Sequence, residues 1–162
     1  MISDLKKIKN IRSKKKFTIS LAESCTGGMI SKYLTIINCS SLFFNGACIS
    51  YSNQMKIRLL KVPKNTIINY GAVSHQTALA MVKGLKKITD SEILLSVTGV
   101  AGPSGGTLRT PVECVFFDQP AFRHNLWIIH PLIVRVLRIC LIFSTQVPFG
   151  YSPPMFSHHQ GR

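Results

Sequence analysis

The stretch Glu23-Ser24-Cys25-Thr26-Gly27-Gly28 sets a hydroxyl and a thiol just ahead of two adjacent glycines. Such glycines let the backbone approach a ligand, and a helix opening behind them leaves unpaired N–H groups that can receive an anion or a developing oxyanion. Ser24 therefore suits a nucleophile, provided a base and donors for the negative charge stand nearby. The same position equally suits a plain helix N-cap made by Ser24 or Thr26, and the residues alone leave both readings open. Cys25 is the rival nucleophile, because a thiol at a helix N-terminus can have its pKa lowered, although no histidine stands close in sequence to serve it.

A second group is Tyr51-Ser52-Asn53-Gln54-Met55-Lys56. Lysine becomes a general base when desolvation lowers its pKa, yet a lysine one turn into a helix is ordinarily a solvated one. Only proximity to Ser24 would decide between these, and sequence does not show proximity. A third group, running from Thr98 through Gly102, Gly105 and Gly106 to Thr107, is glycine-dense and suits a loop that wraps a phosphate or ribose with backbone donors. It is neither a P-loop with its lysine nor a dinucleotide fingerprint.

The elements that must position these groups follow from periodicity. Phe17, Ile19 and Leu21 alternate as in a short buried strand, while Met29, Ile30, Tyr33, Leu34 and Ile37 recur at helical steps. This predicts a strand, a tight loop at ESCTGG, and a helix from near Thr26 to before Asn38. GACISYS reads as a second strand, Ser52-Asn53 as the start of a helix closed by Pro63, and Ser74 as the N-cap of a helix over His75 to Lys87. EILLSVTG and PVECVFF read as two further strands, so strands alternate with helices. The expected fold is α/β: a single layered α/β/α domain around a central mixed sheet, with ligands at the strand ends.

The chain has 162 residues, 46% of them apolar, which is enough for one core without disulfide or metal staples. Its five cysteines are odd in number and scattered, with no C-x-x-C pair and no histidine at zinc-ligand spacing. Neither disulfides nor a metal site is expected. No long uncharged apolar run is present and the first residues lack signal-peptide features, so the reading is cytoplasmic, with no membrane partner. The net charge of +14 would suit a nucleic acid, but seven of the basic residues fall within the first sixteen positions, interleaved with Ile2, Leu5, Ile8 and Ile11. That spacing reads as the solvated face of an amphipathic helix, and a nucleic-acid partner is not expected.

A composition break lies near residue 118. Every lysine lies at or before Lys87, no acidic residue follows Asp118, and Pro120, Pro131, Pro148, Pro153 and Pro154 interrupt the apolar runs. Residues 119–162 therefore read as a divergent, poorly ordered tail behind an incomplete α/β domain over 1–118.

Taken together, AESCTGG at 22–28, SYSNQMK at 50–56, GAVS at 71–74 and VTGVAGPSGGT at 97–107 resemble, in order and spacing, the CinA C-terminal domain, the amidohydrolase family that deamidates nicotinamide mononucleotide. The resemblance implies Ser24 as acylating nucleophile, Lys56 as its base, and Tyr51 and Thr98 as groups that position substrate or support the pair. It implies that Thr26, Gly27, Gly28, Gly102, Gly105 and Gly106 hold the nucleotide and the oxyanion, with no metal or organic cofactor. The expected partners are a small nucleotide substrate and further copies of the chain. The departure comes after the third glycine loop: the family continues through E-K-P-V-G to a G-D-R motif and a last helix, whereas this chain reads LRTPVECVFFDQP with neither. The missing arginine would hold the substrate phosphate bidentately, and Arg123, Arg135 and Arg138 carry no motif context. Reduced stability and impaired activity are the expected consequences, and the competing expectation is a catalytically inactive nucleotide-binding or interaction module.

Overall fold

The computed structural model describes residues 16–100 together with the backbone of 115–118. The basic segment before residue 16, the loop at 101–114 and the tail beyond 118 lie outside the described residues.

Strand β1 (Ile19–Glu23) is buried along its whole length. It runs parallel to β2 (Phe44–Ile49) on one side and to β3 (Ile93–Gly99) on the other. A parallel strand covered on both faces has no solvent side to alternate with, which is why ISLAE and ILLSVTG lack a clean polar period. Strand β4 (Val115–Asp118) pairs antiparallel with β3, so the sheet is mixed, in the order β2-β1-β3-β4.

Successive strand residues point to opposite faces, and each face has its own helices. On one side Ile19, Leu21, Ile93, Leu95 and Val97 pack under Ile30 and Leu34 of α1 (Met29–Thr35), with Ile37 and Phe43 closing the edge. On the other, Ala22 and Leu94 meet Leu60 and Val62, at the end of α2 (Asn53–Leu60), and Met81, Val82 and Leu85 of α4 (His75–Leu85). The expected layered α/β/α arrangement with a mixed sheet is thus the observed one.

Two helix starts lie where the capping residues predict. The Ser52 hydroxyl accepts from the Met55 amide at 3.1 Å, and the Ser74 hydroxyl from the Thr77 amide at 3.2 Å. The first helix begins later than Thr26, at Met29, because Gly27 and Gly28 take positive φ values of 58° and 96° and complete the turn first. A short helix, α3 (Lys64–Tyr70), follows Pro63 and was not anticipated; none of its residues is fully buried, so it shows no apolar stripe to read. No helix among the described residues is long and apolar enough to cross a membrane.

Candidate active site

The C-terminal ends of β1 and β2 lie side by side, and both halves of the candidate site leave from them. The Ser24 amide donates to the Val97 carbonyl at 3.0 Å, which holds the residue after β1 against β3. The Gly27 amide then donates back to the Ser24 carbonyl at 3.0 Å and the chain reverses into α1. Gly28 has a φ of 96°, so this corner favours glycine for its backbone conformation, while a Cβ there would meet only the movable end of the Ile49 side chain, at 2.8 Å. On the neighbouring strand the Ser50 amide donates to the Glu23 carbonyl at 2.7 Å, just before the chain caps α2 with Ser52.

Lys56 then points back into the molecule. Its side chain is 1% exposed, and Nζ lies 2.8 Å from the Ser24 Oγ, 2.9 Å from the Ser50 carbonyl and 2.9 Å from the Tyr51 carbonyl. All three partners are neutral oxygens. An ammonium buried among dipoles loses hydration, and burial, opposed by the smaller influence of the Cys25 thiol, lowers the Lys56 pKa from its ordinary 10.5. In the neutral amine, two N–H bonds serve the two carbonyls and the remaining lone pair faces the Ser24 hydroxyl. The same 2.8 Å contact accommodates Lys56 as an ammonium donating to the Ser24 oxygen and as a neutral amine accepting from its hydroxyl.

Cys25 behaves differently from the expectation for a thiol near a helix end. Burial raises its pKa from 9.0 to about 11, outweighing the favourable N–H groups of Cys25 and Thr26 and the charge of Lys56. At neutral pH it is a thiol, not a thiolate, and a poor nucleophile.

The open helix terminus expected at Gly27 and Gly28 is not open. Glu23, fully buried, turns its carboxylate into that position: Oε2 accepts from the Thr26 hydroxyl at 2.6 Å, the Gly28 amide at 3.1 Å and the Ile30 amide at 3.2 Å. Oε1 accepts from the Ser31 amide at 2.9 Å and from the Ser31 hydroxyl. Neither Ser24 nor Thr26 is the N-cap, which is Gly28, so the capping alternative for Ser24 is corrected. The expectation that this helix end offers free amides to a ligand is corrected too, since an internal carboxylate already holds them.

Of the other residues singled out from sequence, Tyr51 contributes its carbonyl to Lys56 while the residue is 73% exposed. The Thr98 hydroxyl is buried and donates to the Ala72 carbonyl at 2.8 Å, tying the GAVS segment to the end of β3. It is not a partner of Ser24 or Lys56 in these hydrogen bonds. Gly102, Gly105 and Gly106 lie outside the described residues. Among the described residues no cluster of three His, Cys, Asp or Glu could hold a metal ion, and Cys25, Cys39 and Cys48 are free thiols. Glu23 is the residue that sequence reading passed over. Its signal was an acid at the last position of an otherwise uncharged strand, just ahead of a helix start, where negative charge is favourable.

Residues 3–124 match the family model described as the CinA C-terminal domain. A CinA-like protein of Dictyoglomus thermophilum is 49% identical over 107 residues, covering 66% of this chain and 26% of that protein. A CinA-like protein of Endomicrobium trichonymphae is 48% identical over 104 residues, covering 64% of this chain and 24% of that protein. The chain thus spans about a quarter of the length of these two relatives. Among solved structures, the competence/damage inducible protein CihA from Agrobacterium tumefaciens aligns with a TM-score of 0.70 at 30% identity, covering 89% of this chain and 94% of that one.

Proposed function

The chain belongs to the CinA C-terminal domain family, and from that premise we propose that it is an amidohydrolase deamidating nicotinamide mononucleotide to nicotinic acid mononucleotide and ammonia through a Ser24–Lys56 dyad. The observation that carries the reading is the 2.8 Å separation of Lys56 Nζ from Ser24 Oγ, with the amine buried and hydrogen-bonded to no carboxylate among the described residues. A nucleophile and base within hydrogen-bond reach is the geometric requirement for acyl transfer, and burial, which lowers the lysine pKa, favours the amine form that this role needs.

In the proposed reaction Ser24 Oγ attacks the carboxamide carbon as its proton passes to Lys56 Nζ. The tetrahedral adduct collapses when Lys56 returns that proton to the departing nitrogen, and ammonia leaves. Water then attacks the acyl-enzyme, giving one proton to Lys56; the acid is released, and Ser24 recovers its proton. Substrate identity comes from the family, and the residues supply the type of chemistry. The same reading takes residues 1–118 as an incomplete copy of the domain and 119–162 as a divergent tail.

Purified protein incubated with nicotinamide mononucleotide should release ammonia, and turnover should fall by about a thousandfold or more in Ser24→Ala and in Lys56→Ala. Background ammonia from the unaltered protein would reject the activity. The absence of the G-D-R motif from the sequence favours a second reading, a nucleotide-binding module without turnover. Thermal stabilisation by the mononucleotide with no ammonia release would select it.

A further inference from the structure

We infer that Glu23 is the positioning residue of the nucleophile loop: an internal carboxylate, standing where a ligand anion would otherwise sit, that sets Ser24 against Lys56. The inference rests on the Ser24–Lys56 reading above.

Three features separate this carboxylate from an ordinary helix cap. It comes from the residue immediately before the nucleophile, so any movement of its side chain is felt at Ser24 through one peptide bond. It is fully buried, and its two oxygens take three backbone amides and two hydroxyls, all from the six residues that follow Cys25. Charge-assisted bonds of this kind are roughly twice as strong as neutral ones, and a buried carboxylate deprived of them is costly, so the loop has one favourable arrangement. Finally, the Glu23 carbonyl accepts from the Ser50 amide at 2.7 Å, and the Ser50 carbonyl in turn accepts from Lys56 Nζ at 2.9 Å. Glu23 therefore governs the nucleophile through its side chain and the base through its backbone. The two catalytic side chains meet at a corner whose geometry one residue defines. A consequence for substrate recognition follows: the phosphate of the mononucleotide is not seated on the amides of Gly28, Ile30 and Ser31, because Glu23 already takes them.

Glu23→Gln tests this. It keeps the volume but replaces one acceptor oxygen by an amide group that donates toward N–H groups already donating. A displacement of about 1 Å at a reacting group costs on the order of a hundredfold in rate, so kcat per intact site should fall by about that factor while KM changes less than about threefold. Intact sites are counted with a fluorophosphonate probe, in which an Oγ–P bond forms at Ser24, the P–F bond breaks, fluoride leaves and the hydroxyl proton passes to Lys56. A positioning role predicts a titration amplitude near that of the unaltered protein with a slowed labelling rate. A carboxylate that merely stabilises the fold predicts fewer titratable sites, each turning over at the unaltered rate, and that result overturns the inference. Should Glu23→Gln fail to fold, Ser31→Ala and Thr26→Val each remove one hydroxyl donor and should slow turnover by roughly threefold to tenfold. Amide hydrogen exchange provides an arm that needs no turnover: the amides of Gly28, Ile30 and Ser31 should exchange at least about tenfold faster in the variants. Unchanged exchange there sinks the inference. An unaltered protein that neither labels nor releases ammonia sinks the amidohydrolase reading instead, and the exchange result still decides whether Glu23 holds the loop.

Discussion

On the proposed reading, Lys56 couples chemistry to stability through a single proton. In the unfolded chain it keeps its proton up to the ordinary value of 10.5, whereas in the folded chain burial lets the proton go at lower pH. As pH falls, the unfolded state therefore binds a proton that the folded state resists, and stability falls with it. The unaltered protein should gain stability as pH rises from the folded pKa toward 10.5, with a slope of at most about 1.4 kcal/mol per pH unit. In Lys56→Met that rise should vanish, which denaturant unfolding at several pH values measures directly. Activity should follow the same proton, climbing with pH as the amine becomes free, so the acidic limb of kcat/KM should also lie below 10.5. At this scale the sequence exposed Ser24 and Lys56 through their motifs, but it did not expose Glu23. A glutamate at a strand end reads as surface charge until the carboxylate is seen turned inward onto the helix amides.

The helices were legible where a local code announces them. Ser52 and Ser74 cap α2 and α4 with their own hydroxyls, and both signals lie within three residues of the amides they serve. Helix α3 has no such code, since neither a side-chain cap nor a buried stripe marks KNTIINY. The approach of α2 to α4 was equally hidden, although it holds the helix that carries Lys56. A Cβ built on Gly84 of α4 would lie 1.7 Å from the Leu60 carbonyl at the end of α2, and a backbone atom cannot swing aside. Gly84→Ala should therefore force the two helices apart and destabilise the protein by about 3 kcal/mol, read as a lower denaturant midpoint. Because α2 carries Lys56, turnover at temperatures well below unfolding should fall as well, a coupling that a purely global destabilisation would not produce.

Among the described residues, two separate apolar layers cover the two faces of one sheet, and Ser24 meets Lys56 just beyond the C-terminal ends of β1 and β2. Met81, fully buried in the layer under α4, contacts neither Ser24 nor Lys56 through any hydrogen bond. Met81→Ala should cost about 2–5 kcal/mol in unfolding free energy, through lost burial and the cavity left behind, with the denaturant slope unchanged. The order β2-β1-β3-β4 brings the C-terminal ends of the parallel strands β1, β2 and β3 to one end of the sheet, where Ser24 and Lys56 meet. The layered fold class was readable from the alternation of strand and helix patterns. The antiparallel direction of β4 was not, since a short apolar strand carries no mark of its polarity.

The sequence alone determined which residues could do chemistry, where three of the helices begin to within a few residues, and the family from which the reaction type is inferred. Those features are written in neighbours a few positions apart, where spacing, caps and glycines act locally. Tertiary structure alone decided that Ser24 and Lys56, 32 residues apart, meet at 2.8 Å, that burial lowers the Lys56 pKa, that burial raises the Cys25 pKa, and that Glu23 fills the helix end. Each of those depends on desolvation and distance across the sheet, and both are set only when separate strands and helices close over the same corner.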